Sequence, residues 1–593
     1  MNGENIYYGF LSGANEVIKQ KEELNRINVF PVADGDTGSN LAYTMNTIIR
    51  QANIQESPRK TMESIAEAAL IGARGNSGII FAQFINGMYM EMEELDDISI
   101  SSFSSSVNGA VAYAYKAISD PVEGTMITVM KDWADSLNAI KGNVKDFNEL
   151  FSNSLEVALQ SLIDTPKKLK VLRDAKVVDS GAKGFVHFIE GFLHFIRTGE
   201  MQKYDKLADE ISIGIEEVHF EGEFDLENRY CTEGLIEGEN LDIDAVRIGL
   251  EKYGKSLIVA GNYKKIRIHI HTNNPESLFF KLKEYGKIVY QKVDDMKRQY
   301  ESLYSRNSDI AIVTDSIADL PKEFMDKYQI HLLPLNLLIE DINYLDKLTI
   351  TPSYFYDLMD TLDSYPSSSQ PTVVEAEKIL QELSGHYRSI IVITVSKEMS
   401  GTYNTFIKAK SNLDIRDKEI EIIDSKLNSG AQGLVVLKAA EEIAKGKTLE
   451  EVVAATKETI ENTDIFVSVP TLKYMLKSGR IGKVQAIAAN FLNLKPVVSI
   501  DRNGNGIIIG KAFSTNGNTK KIADLVGDIM KDKKIIRYSL VHANASVRVE
   551  EYREYYSRLI GKEPEYIMEI SPIVAMNGGI GCVAISVTAE GEV

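Results

Sequence analysis

The sequence contains little cysteine, no long apolar run and fewer positive than negative charges. Its two cysteines, Cys231 and Cys582, lie far apart among 593 residues, which excludes the disulfide framework of small secreted domains. No stretch approaches the roughly 20 consecutive apolar residues that span a bilayer. The opening residues MNGENIYYGFLSGANEV lack the basic-then-apolar plan of a signal peptide. We therefore expect a cytoplasmic protein with no integral membrane segment.

The net charge is −19, from 66 basic and 85 acidic residues. This balance argues against a general binder of nucleic acid or anionic membranes, although a local pocket for one nucleotide is still permitted. Neither the P-loop pattern GxxxxGK followed by Ser or Thr nor the protein-kinase motif set occurs, which excludes both of those classes. A chain of this length predicts roughly three to five domains.

Hydropathy patterns divide the chain into three predicted domains. Residues 1–200 show one helical pattern after another, with apolar residues at three- and four-residue spacing. Residues 205–294 combine alternating strands with a helix, which predicts a small α+β domain, and a charged helical linker follows at about 294–307. Residues 308–593 alternate β-branched strands with amphipathic helices. This last pattern predicts two α/β subdomains with buried parallel strands and a cleft between them.

The run NVFPVADGDTGSN (28–40) places two carboxylates, Asp34 and Asp36, on either side of a glycine. A turn there brings both to one small volume, and two anionic oxygen ligands suit Mg²⁺, which takes its other ligands from water and phosphates. The glycines let the backbone approach a phosphate, and the polar side chains that follow add donors. The alternative is an Asp-Gly turn that caps the next helix.

Three further loops in residues 1–200 place small residues before a helix: GARGNSG (72–78), PVEGTMIT (121–128) and VVDSGAKG (177–184). The four loops in this order resemble the DhaL-type (DAK2) kinase domain, specifically its fatty acid kinase branch. The resemblance implies an eight-helix barrel that binds ATP and two Mg²⁺ ions at one end. It implies Asn28, Asp34 and Asp36 as metal ligands, although related sugar kinases have an aspartate near position 28. The nucleotide contacts that it implies are Thr37, Gly38, Ser39, Asn40, Ser77, Gly78, Thr125, Met126, Asp179 and Gly181.

In KIRIHIHT the alternation of a strand puts His269 and His271 on one face. With the thiolate of Cys231 they offer three of the four ligands of a Zn²⁺ site. The alternative is that one histidine caps a loop and Cys231 is a small buried apolar residue. The segment resembles the middle domain of fatty acid kinases, which implies a zinc site with a structural or coupling role.

Residues 309–593 resemble the DegV family of fatty-acid-binding proteins in five ordered runs: VTDSIADLP, SSSQPT, SKEMSGTYN, IDSKLNSGAQG and LKSGRIGK. A buried carboxylate needs hydrogen-bond donors. Ser400 and Gly401 lie between a predicted strand and a predicted helix, where hydroxyl and N–H groups can meet an anion, with an ordinary N-cap as the alternative for Ser400. The resemblance implies carboxylate binding at Ser368, Ser369, Ser400 and Gly401, and a catalytic role in docking or phosphate handling for Arg480.

One departure from the family lies near the C-terminus. The family has a histidine in a run like GTHxGPG, whereas this sequence reads AMNGGIG, with Asn577 at that position and Ile580 in place of proline. Asparagine can donate a hydrogen bond to a carboxylate, but it cannot exchange a proton near neutral pH. We expect Asn577 to contact the ligand, with any acid–base role absent or supplied elsewhere.

Together these resemblances imply a fatty acid kinase, which transfers the γ-phosphate of ATP to a bound fatty acid. The acyl phosphate would pass to an acyltransferase of phospholipid synthesis. A carboxylate is ionised at pH 7, so the reaction needs metal ions and positioning rather than a base. The alternatives are a dihydroxyacetone-type kinase and a non-catalytic lipid carrier or sensor regulated by nucleotide. The kinase component of the family dimerises, which leaves a homodimer open here.

Overall fold

A computed structural model describes residues 1–30, 35–201, 227–359, 361–362, 364–413, 415, 417–478 and 494–590. The chain divides into two compact units, Met1–Lys297 and Arg298–Val593. Within the described ranges, no helix combines the length and the apolar character that crossing a bilayer would require. The limits of the three predicted domains, 1–200, 205–294 and 308–593, stay a prediction.

Eight helices of 15 to 19 residues form the N-terminal part of the first unit, as counted over residues 1–30 and 35–201. They are α1 (Gly3–Lys19), α3 (Thr37–Gln51), α4 (Pro58–Gly72), α5 (Gly75–Glu91), α6 (Ile100–Ala117), α7 (Met126–Ile140), α8 (Phe147–Ile163) and α11 (Ser180–Thr198). The short helices α2 (Lys21–Arg26), α9 (Thr165–Lys168) and α10 (Lys170–Ala175) connect them.

The eight long helices close into a ring. Helices α4 to α8 each pack on the next in order, α8 packs on α11, and α11 packs on α1. Helix α1 returns to α4, and α3 lies against both. Buried phenylalanines fill the interior, among them Phe10, Phe81 and Phe185. The predicted all-α fold is confirmed, because helical apolar spacing gives each helix one face to bury in this core.

A four-stranded antiparallel sheet completes the first unit. Its strands are β1 (Tyr230–Glu237), β2 (Lys255–Gly261), β3 (Lys265–Thr272) and β4 (Lys287–Asp295), in the order β2-β3-β1-β4. The helices α12 (Ile243–Leu250) and α13 (Pro275–Leu282) connect strands, and α14 (Met296–Tyr304) follows β4. The predicted α+β fold is confirmed. Strand β2 packs on α5, so the sheet and the helical ring share one unit.

The second unit alternates strands and helices. Its strands are β5 (Ile310–Asp315), β6 (His331–Leu333), β7 (Asn336–Ile339), β8 (Ile342–Leu345), β9 (Ser367–Ser369), β10 (Ser389–Thr394), β11 (Glu419–Asp424), β12 (Thr463–Ser468), β13 (Lys495–Ile500), β14 (Gly506–Ala512), β15 (Lys534–His542), β16 (Ile567–Glu569) and β17 (Val583–Glu590). Its helices are α15 (Lys322–Lys327), α16 (Pro352–Met359), α17 (Val373–His386), α18 (Thr402–Asn412), α19 (Ser429–Ala444), α20 (Leu449–Glu461), α21 (Lys473–Ser478), α22 (Thr515–Asp532), α23 (Ser546–Ile560) and α24 (Pro572–Gly578).

These strands form three sheets, and the predicted α/β class is confirmed. The sheet β11-β10-β5-β6 is parallel throughout, as predicted. The sheet β14-β13-β12-β17-β15-β16 has one parallel pair, β15 with β16, and is otherwise antiparallel. A small antiparallel sheet, β8-β7-β9, is the third.

The expectation of parallel strands is wrong for the six-stranded sheet. Strands β13 and β14 are joined by a tight turn in which an Asp501 carboxylate oxygen accepts the N–H groups of Asn503 and Asn505. A run of β-branched residues indicates that a strand is buried on both faces, but it does not indicate whether the neighbouring strand is parallel or antiparallel. The asparagine- and glycine-containing turn DRNGNG is the local signal of a hairpin.

Candidate functional site

Four of the long helices start close together in the first unit. A side chain placed on Gly75 at the start of α5 would lie 2.4 Å from Asn40 Nδ2 of α3. One placed on Gly181 of α11 would lie 2.7 Å from Ser77 Oγ of α5 and 3.1 Å from Met126 Cε of α7. The first N–H groups of a helix lack partners within the helix, and the helix dipole is positive at that end. Converging helix starts therefore suit a polyphosphate.

The short helix α2 supports the start of α3. The Asn25 side chain accepts the Ser39 N–H at 3.0 Å and donates to Ser39 Oγ at 3.0 Å. Gly38 lies so close to this helix that a Cβ would be 2.1 Å from the Lys21 carbonyl oxygen. Ser180 at the start of α11 donates to the Leu24 carbonyl oxygen at 2.7 Å. Helix α2 thereby fixes two of the four helix starts relative to each other.

Asp179 joins the start of α11 to the start of α7. Its carboxylate accepts the Ala182 N–H of α11 at 2.7 Å and also accepts the Met126 N–H of α7. Burial raises the pKa of Asp179 to about 6, and the two N–H groups oppose this rise. Thr125, the residue before α7, donates its hydroxyl to the Val122 carbonyl oxygen at 2.8 Å. Gly78 of α5 lies against Thr44 of α3.

The predicted Mg²⁺ ligands are described in part. Asn28 is buried just after α2, and its N–H donates to the Asn25 carbonyl oxygen at 3.2 Å. Asp36 directly precedes α3 and is half-buried; its side chain makes no capping hydrogen bond to the described first turn of α3. The predictions for Asp34 and for Arg480 lie outside the described residues.

The three candidate zinc ligands lie together on the sheet of the first unit. Cys231 of β1 is directly opposite His271 of β3, and His269 is two residues along the same face. Cys231 Sγ is 3.8 Å from His269 Nδ1, and the two histidine Nε2 atoms are 3.2 Å apart. All three offer ligand atoms within 4.8 Å of one another. An imidazole binds one ion through one nitrogen, so the 4.8 Å limit, which takes one atom from each residue, is the relevant spacing. Ligands roughly 2.0–2.3 Å from a tetrahedral Zn²⁺ lie within that spacing, so these residues fit that ion.

The electrostatics of this cluster suit a metal. Burial, and then His269, lower the pKa of His271 to about 3, so its imidazole is neutral and free to ligate at pH 7. Burial raises the pKa of the Cys231 thiol well above its usual value. The Asp36 carboxylate is among the charges that raise it further, which puts the predicted Mg²⁺ ligand in the electrostatic neighbourhood of the cluster. A bound metal ion would stabilise the thiolate form of Cys231 and so displace the thiol proton, which would offset the unfavourable ionisation of the buried thiol.

Sequence reasoning missed Glu233, which lies two residues after Cys231 on β1 and is fully buried. Burial favours a raised pKa, but Lys292, His269 and Arg267 hold the pKa of Glu233 well below its usual range. It is therefore a buried carboxylate charge beside the cluster. The alternation of β1 places Glu233 on the face of Cys231, and this spacing was the available signal.

The five residues predicted to bind the substrate line one cavity in the second unit. The cavity has a volume of about 420 Å³ and mostly apolar walls from β12, β13, β15 and β17. Its polar lining includes Ser368, Ser369, Gln370, Ser400, Asn428, Ser429, Ser499 and Asn577, with the backbone of Gly401. An apolar slot with a few convergent polar groups suits a ligand with an apolar body and a polar head.

Ser400 and Gly401 lie where the sequence predicts, between β10 and α18. The hydroxyl groups of Ser400 and Thr402 are 2.8 Å apart, and the Thr402 N–H donates to Ser400 Oγ at 3.4 Å. Gln370, which follows β9, packs directly against Gly401 and donates from Nε2 to Thr405 Oγ1 at 3.1 Å. The β9 serines and the start of α18 are therefore neighbours.

Asn577 lies near the end of α24, where its Nδ2 donates to the Ile573 carbonyl oxygen at 2.7 Å. In the described part of the chain its Oδ1 is buried without a hydrogen-bond partner. One Nδ2 hydrogen stays available for a ligand, and Oδ1 adds an acceptor. Sequence reasoning did not single out Gln370, Asn428 or Ser499, although Gln370 and Asn428 lie in the runs SSSQPT and IDSKLNSGAQG that resemble the DegV family.

Three family models match the chain: a DAK2 domain over residues 31–194, the FakA-like middle domain of fatty acid kinase over 227–303, and the uncharacterised DegV family over 309–590. An uncharacterised protein of Staphylococcus epidermidis is 31% identical over 342 residues, which are 54% of this chain and 62% of that protein. One of Staphylococcus saprophyticus is 33% identical over 309 residues, 50% of this chain and 56% of that protein. The chain thus spans about three-fifths of the length of these curated relatives.

The second unit is also similar to solved structures. "DegV, a fatty acid binding protein from Bacillus subtilis" is 26% identical with a TM-score of 0.44, over 48% of this chain and 100% of that one. A fatty-acid-binding DegV family protein from Thermus thermophilus is 24% identical with a TM-score of 0.44, over 47% and 99%. In one polypeptide, the chain carries matches to a DAK2 domain, a FakA-like middle domain and the DegV family, which is a fatty acid kinase-like architecture.

Proposed function

We propose that the chain is a fatty acid kinase, which transfers the γ-phosphate of ATP to a fatty acid held in the cavity of the second unit. The observation that carries the proposal is the convergence of four helix starts with Asp36 at one of them. Phosphate oxygens would accept from the N–H groups of these starts, and Mg²⁺ would be held by Asp36 together with Asp34 and Asn28. This gives ATP a site that depends on neither a P-loop nor a protein-kinase motif.

The same proposal assigns the other predicted residues. Nucleotide would be contacted by Thr37, Gly38, Ser39, Asn40, Ser77, Gly78, Thr125, Met126, Asp179 and Gly181. The fatty acid carboxylate would be bound by Ser368, Ser369, Ser400, Gly401 and Asn577, and Arg480 would act in docking or on phosphate. Cys231, His269 and His271 would hold a structural Zn²⁺. The protein would act in the cytoplasm, where ATP is available, and an acyltransferase would consume its product.

The proposed reaction needs no general base. A carboxylate oxygen of the fatty acid attacks the γ-phosphorus, the bond from that phosphorus to the β–γ bridging oxygen breaks, and ADP leaves with the electron pair. No proton moves, because the carboxylate is already ionised at pH 7. When bound, Mg²⁺ neutralises charge on the phosphate oxygens. The chain's own groups orient the two reactants, which is the larger part of catalysis in such transfers.

The test uses the full chain with ATP, Mg²⁺ and a long-chain fatty acid, and traps the acyl phosphate with hydroxylamine as a hydroxamate that mass spectrometry detects. We expect hydroxamate from fatty acid and none with EDTA, and no release of ADP when dihydroxyacetone replaces the fatty acid. Loss of a residue that only hydrogen-bonds to a metal ligand typically lowers activity roughly 10- to 100-fold. Asp36 is proposed to bind Mg²⁺ directly, so Asp36→Ala should lower the rate by more than this. Asp120→Ala, a change at an exposed aspartate, is the matched control.

Two outcomes would contradict the proposal. If fatty acid and nucleotide both bind but no acyl phosphate forms, the chain is a nucleotide-regulated lipid carrier instead. If the rate is unchanged in Asp36→Ala, the metal is held elsewhere and the assignment of the kinase site is wrong.

A further inference from the structure

Glu233 connects the candidate zinc cluster to the loop at the start of α5. It lies on β1, opposite His269 of β3 and Lys292 of β4, and residues opposite each other in an antiparallel sheet share a face. Its side chain is 0% exposed. A carboxylate that is fully buried stays ionised only if fixed hydrogen-bond donors or positive charges surround it. The partners of Glu233 therefore show which parts of the structure it connects.

The two oxygens of Glu233 have different partners. Oε2 accepts from Arg267 Nη2 at 2.8 Å, and Arg267 is itself buried over the ring of Tyr290. Oε1 accepts the backbone N–H of Gly75 at 2.8 Å. The same Oε1 is 3.9 Å from His269 Nδ1 and 3.9 Å from Lys292 Nζ. One carboxylate thus contacts the helical ring and faces a candidate metal ligand.

Gly75 begins α5 in the loop GARGNSG, and its position leaves little freedom. Its φ is +59°, a conformation that favours glycine, and it lies against the Asn40 side chain of α3. Asn40, and Ser77 two residues later, are both among the proposed nucleotide contacts. A shift of the Gly75 N–H would therefore be felt at two of the four helix starts.

The sheet is also fixed to α5 further along that helix. The Gly261 N–H at the end of β2 donates to Gln83 Oε1 at 2.8 Å, and Asn86 Nδ2 donates to the Gly261 carbonyl oxygen at 2.9 Å. These bonds are buried and join the sheet to α5 at that point. The hydrogen bond from the Gly75 N–H to Glu233 is a further connection between the sheet and α5, at the start of that helix.

We propose that Glu233 is a positioning residue that couples metal occupancy at Cys231, His269 and His271 to nucleotide affinity at the four helix starts. A carboxylate behind a ligating histidine fixes the orientation of the imidazole. Here the same carboxylate holds the Gly75 N–H, so ordering of His269 by the metal also orders the loop. Coupling between two sites is reciprocal, and bound nucleotide raises the affinity for the metal by the same factor. This inference rests on the proposed nucleotide site.

The test measures the affinity for Mg·ADP by calorimetry, using the full chain depleted of metal by a chelator and the same chain loaded with Zn²⁺. We expect Zn²⁺ to tighten Mg·ADP binding by about 5- to 150-fold in the wild type. In Glu233→Gln the ratio should fall to about one, although elemental analysis still finds zinc. Glu237→Gln is the matched control, because Glu237 is on the same strand but lies away from the cluster. Its carboxylate forms an ion pair with Lys265, with Nζ and Oε1 2.9 Å apart.

Hydrogen exchange gives a readout that does not depend on nucleotide. The peptide containing Gly75 should become protected on Zn²⁺ addition in the wild type and in Glu237→Gln, but not in Glu233→Gln. If Glu233→Gln fails to fold, Glu233→Asp withdraws the carboxylate by one methylene while keeping its charge, and the same loss of coupling is expected.

The outcomes separate this inference from the proposed function. A wild type that binds Zn²⁺ but no Mg·ADP contradicts the nucleotide site itself. A wild type that binds both ligands with no change in affinity, or a Glu233→Gln protein with the full wild-type ratio, contradicts the coupling and leaves the kinase proposal standing.

Discussion

Ser400 is the hydroxyl of the cavity whose contribution is simplest to isolate. Its partner Thr402 is 2.8 Å away, and both precede or begin α18. If Ser400 donates to a charged carboxylate, its removal costs about 1.5–3 kcal/mol, or roughly 10- to 150-fold in affinity. We predict this weakening of fatty acid binding in Ser400→Ala, measured by calorimetry on delipidated protein. Ser411→Ala removes an exposed hydroxyl from the same helix and should leave affinity unchanged. Equal affinities in both variants would contradict the role of Ser400.

Asp346 predicts how the stability of the second unit depends on pH. It is fully buried, and burial raises its pKa to about 7. Its Oδ1 accepts the Ile573 N–H at 3.3 Å. The unfolded carboxyl titrates near its ordinary value of 3.8, so between about pH 4 and 7 the folded state holds the proton more tightly. The contribution of Asp346 to stability is therefore present at low pH and is lost as pH rises to 7.

Asp346→Asn should remove this dependence. We compare the free energies of unfolding of the variant and the wild type at each pH. We predict that the difference, variant minus wild type, increases by roughly 1–3 kcal/mol between pH 4.5 and 7.5. Urea unfolding followed by far-UV circular dichroism measures it, with Asp357→Asn, an exposed aspartate of α16, as control. A constant difference between variant and wild type across this range would show that Asp346 does not titrate there.

At the scale of elements, the contact between α2 and α3 depends on Gly38. A Cβ there would lie 2.1 Å from the Lys21 carbonyl oxygen, a backbone atom that cannot turn aside. Gly142 has open space around it. We predict that Gly38→Ala lowers the free energy of unfolding of the first unit by about 1–3 kcal/mol, and that Gly142→Ala changes it by no more than about 0.5 kcal/mol.

The chain contains a single tryptophan, Trp133, buried in α7 with its Nε1 donating to Ser154 Oγ at 3.1 Å. Its fluorescence therefore reports urea unfolding of the first unit alone. If Gly38→Ala and Gly142→Ala unfold at similar urea concentrations, α2 can move away from α3 without loss of stability. Helix α2 would then not hold the helix starts as described.

What the sequence predicts well is carried by short-range periodicity. The helical spacing noted over residues 1–200 appears in helices such as α4 (Pro58–Gly72), and strand alternation puts His269 and His271 on one face of β3. Each follows from spacing within one element. Strand direction in the six-stranded sheet was not predictable in this way, since burial on both faces looks the same in parallel and antiparallel strands.

Long-range partners were also beyond the sequence. Glu233 contacts Gly75, 158 residues away, and Arg267, 34 residues away, and none of the three carries a local mark of that contact. Likewise, the closeness of Gln370 to Gly401 depends on how β9 meets the start of α18. Such contacts arise from the packing of several elements, which the composition of any one element does not specify.

At the scale of the whole molecule, one chain carries both the proposed kinase site of the first unit and the cavity of the second unit. Fusion raises the effective concentration of the acceptor only where the linker lets the two sites meet. Transfer can then occur within one chain, or between the lipid cavity of one chain and the kinase site of another. We favour transfer between chains of a dimer, because the sheet β1 to β4 lies in sequence between the helical ring and the second unit.

Mixing two inactive variants tests this arrangement. Asp36→Ala keeps an intact lipid cavity, and Ser400→Ala keeps an intact proposed kinase site. The assay uses a fatty acid concentration below the dissociation constant of the Ser400→Ala cavity, so that this cavity stays mostly empty. In a randomly mixed two-fold dimer, half of the dimers hold one chain of each kind and one of their two transfer routes is intact. We predict recovery of roughly a quarter of the wild-type rate. Mixed dimers verified by differently tagged chains but showing no recovery would instead place transfer within one chain, and a strictly monomeric protein would exclude the dimer route altogether.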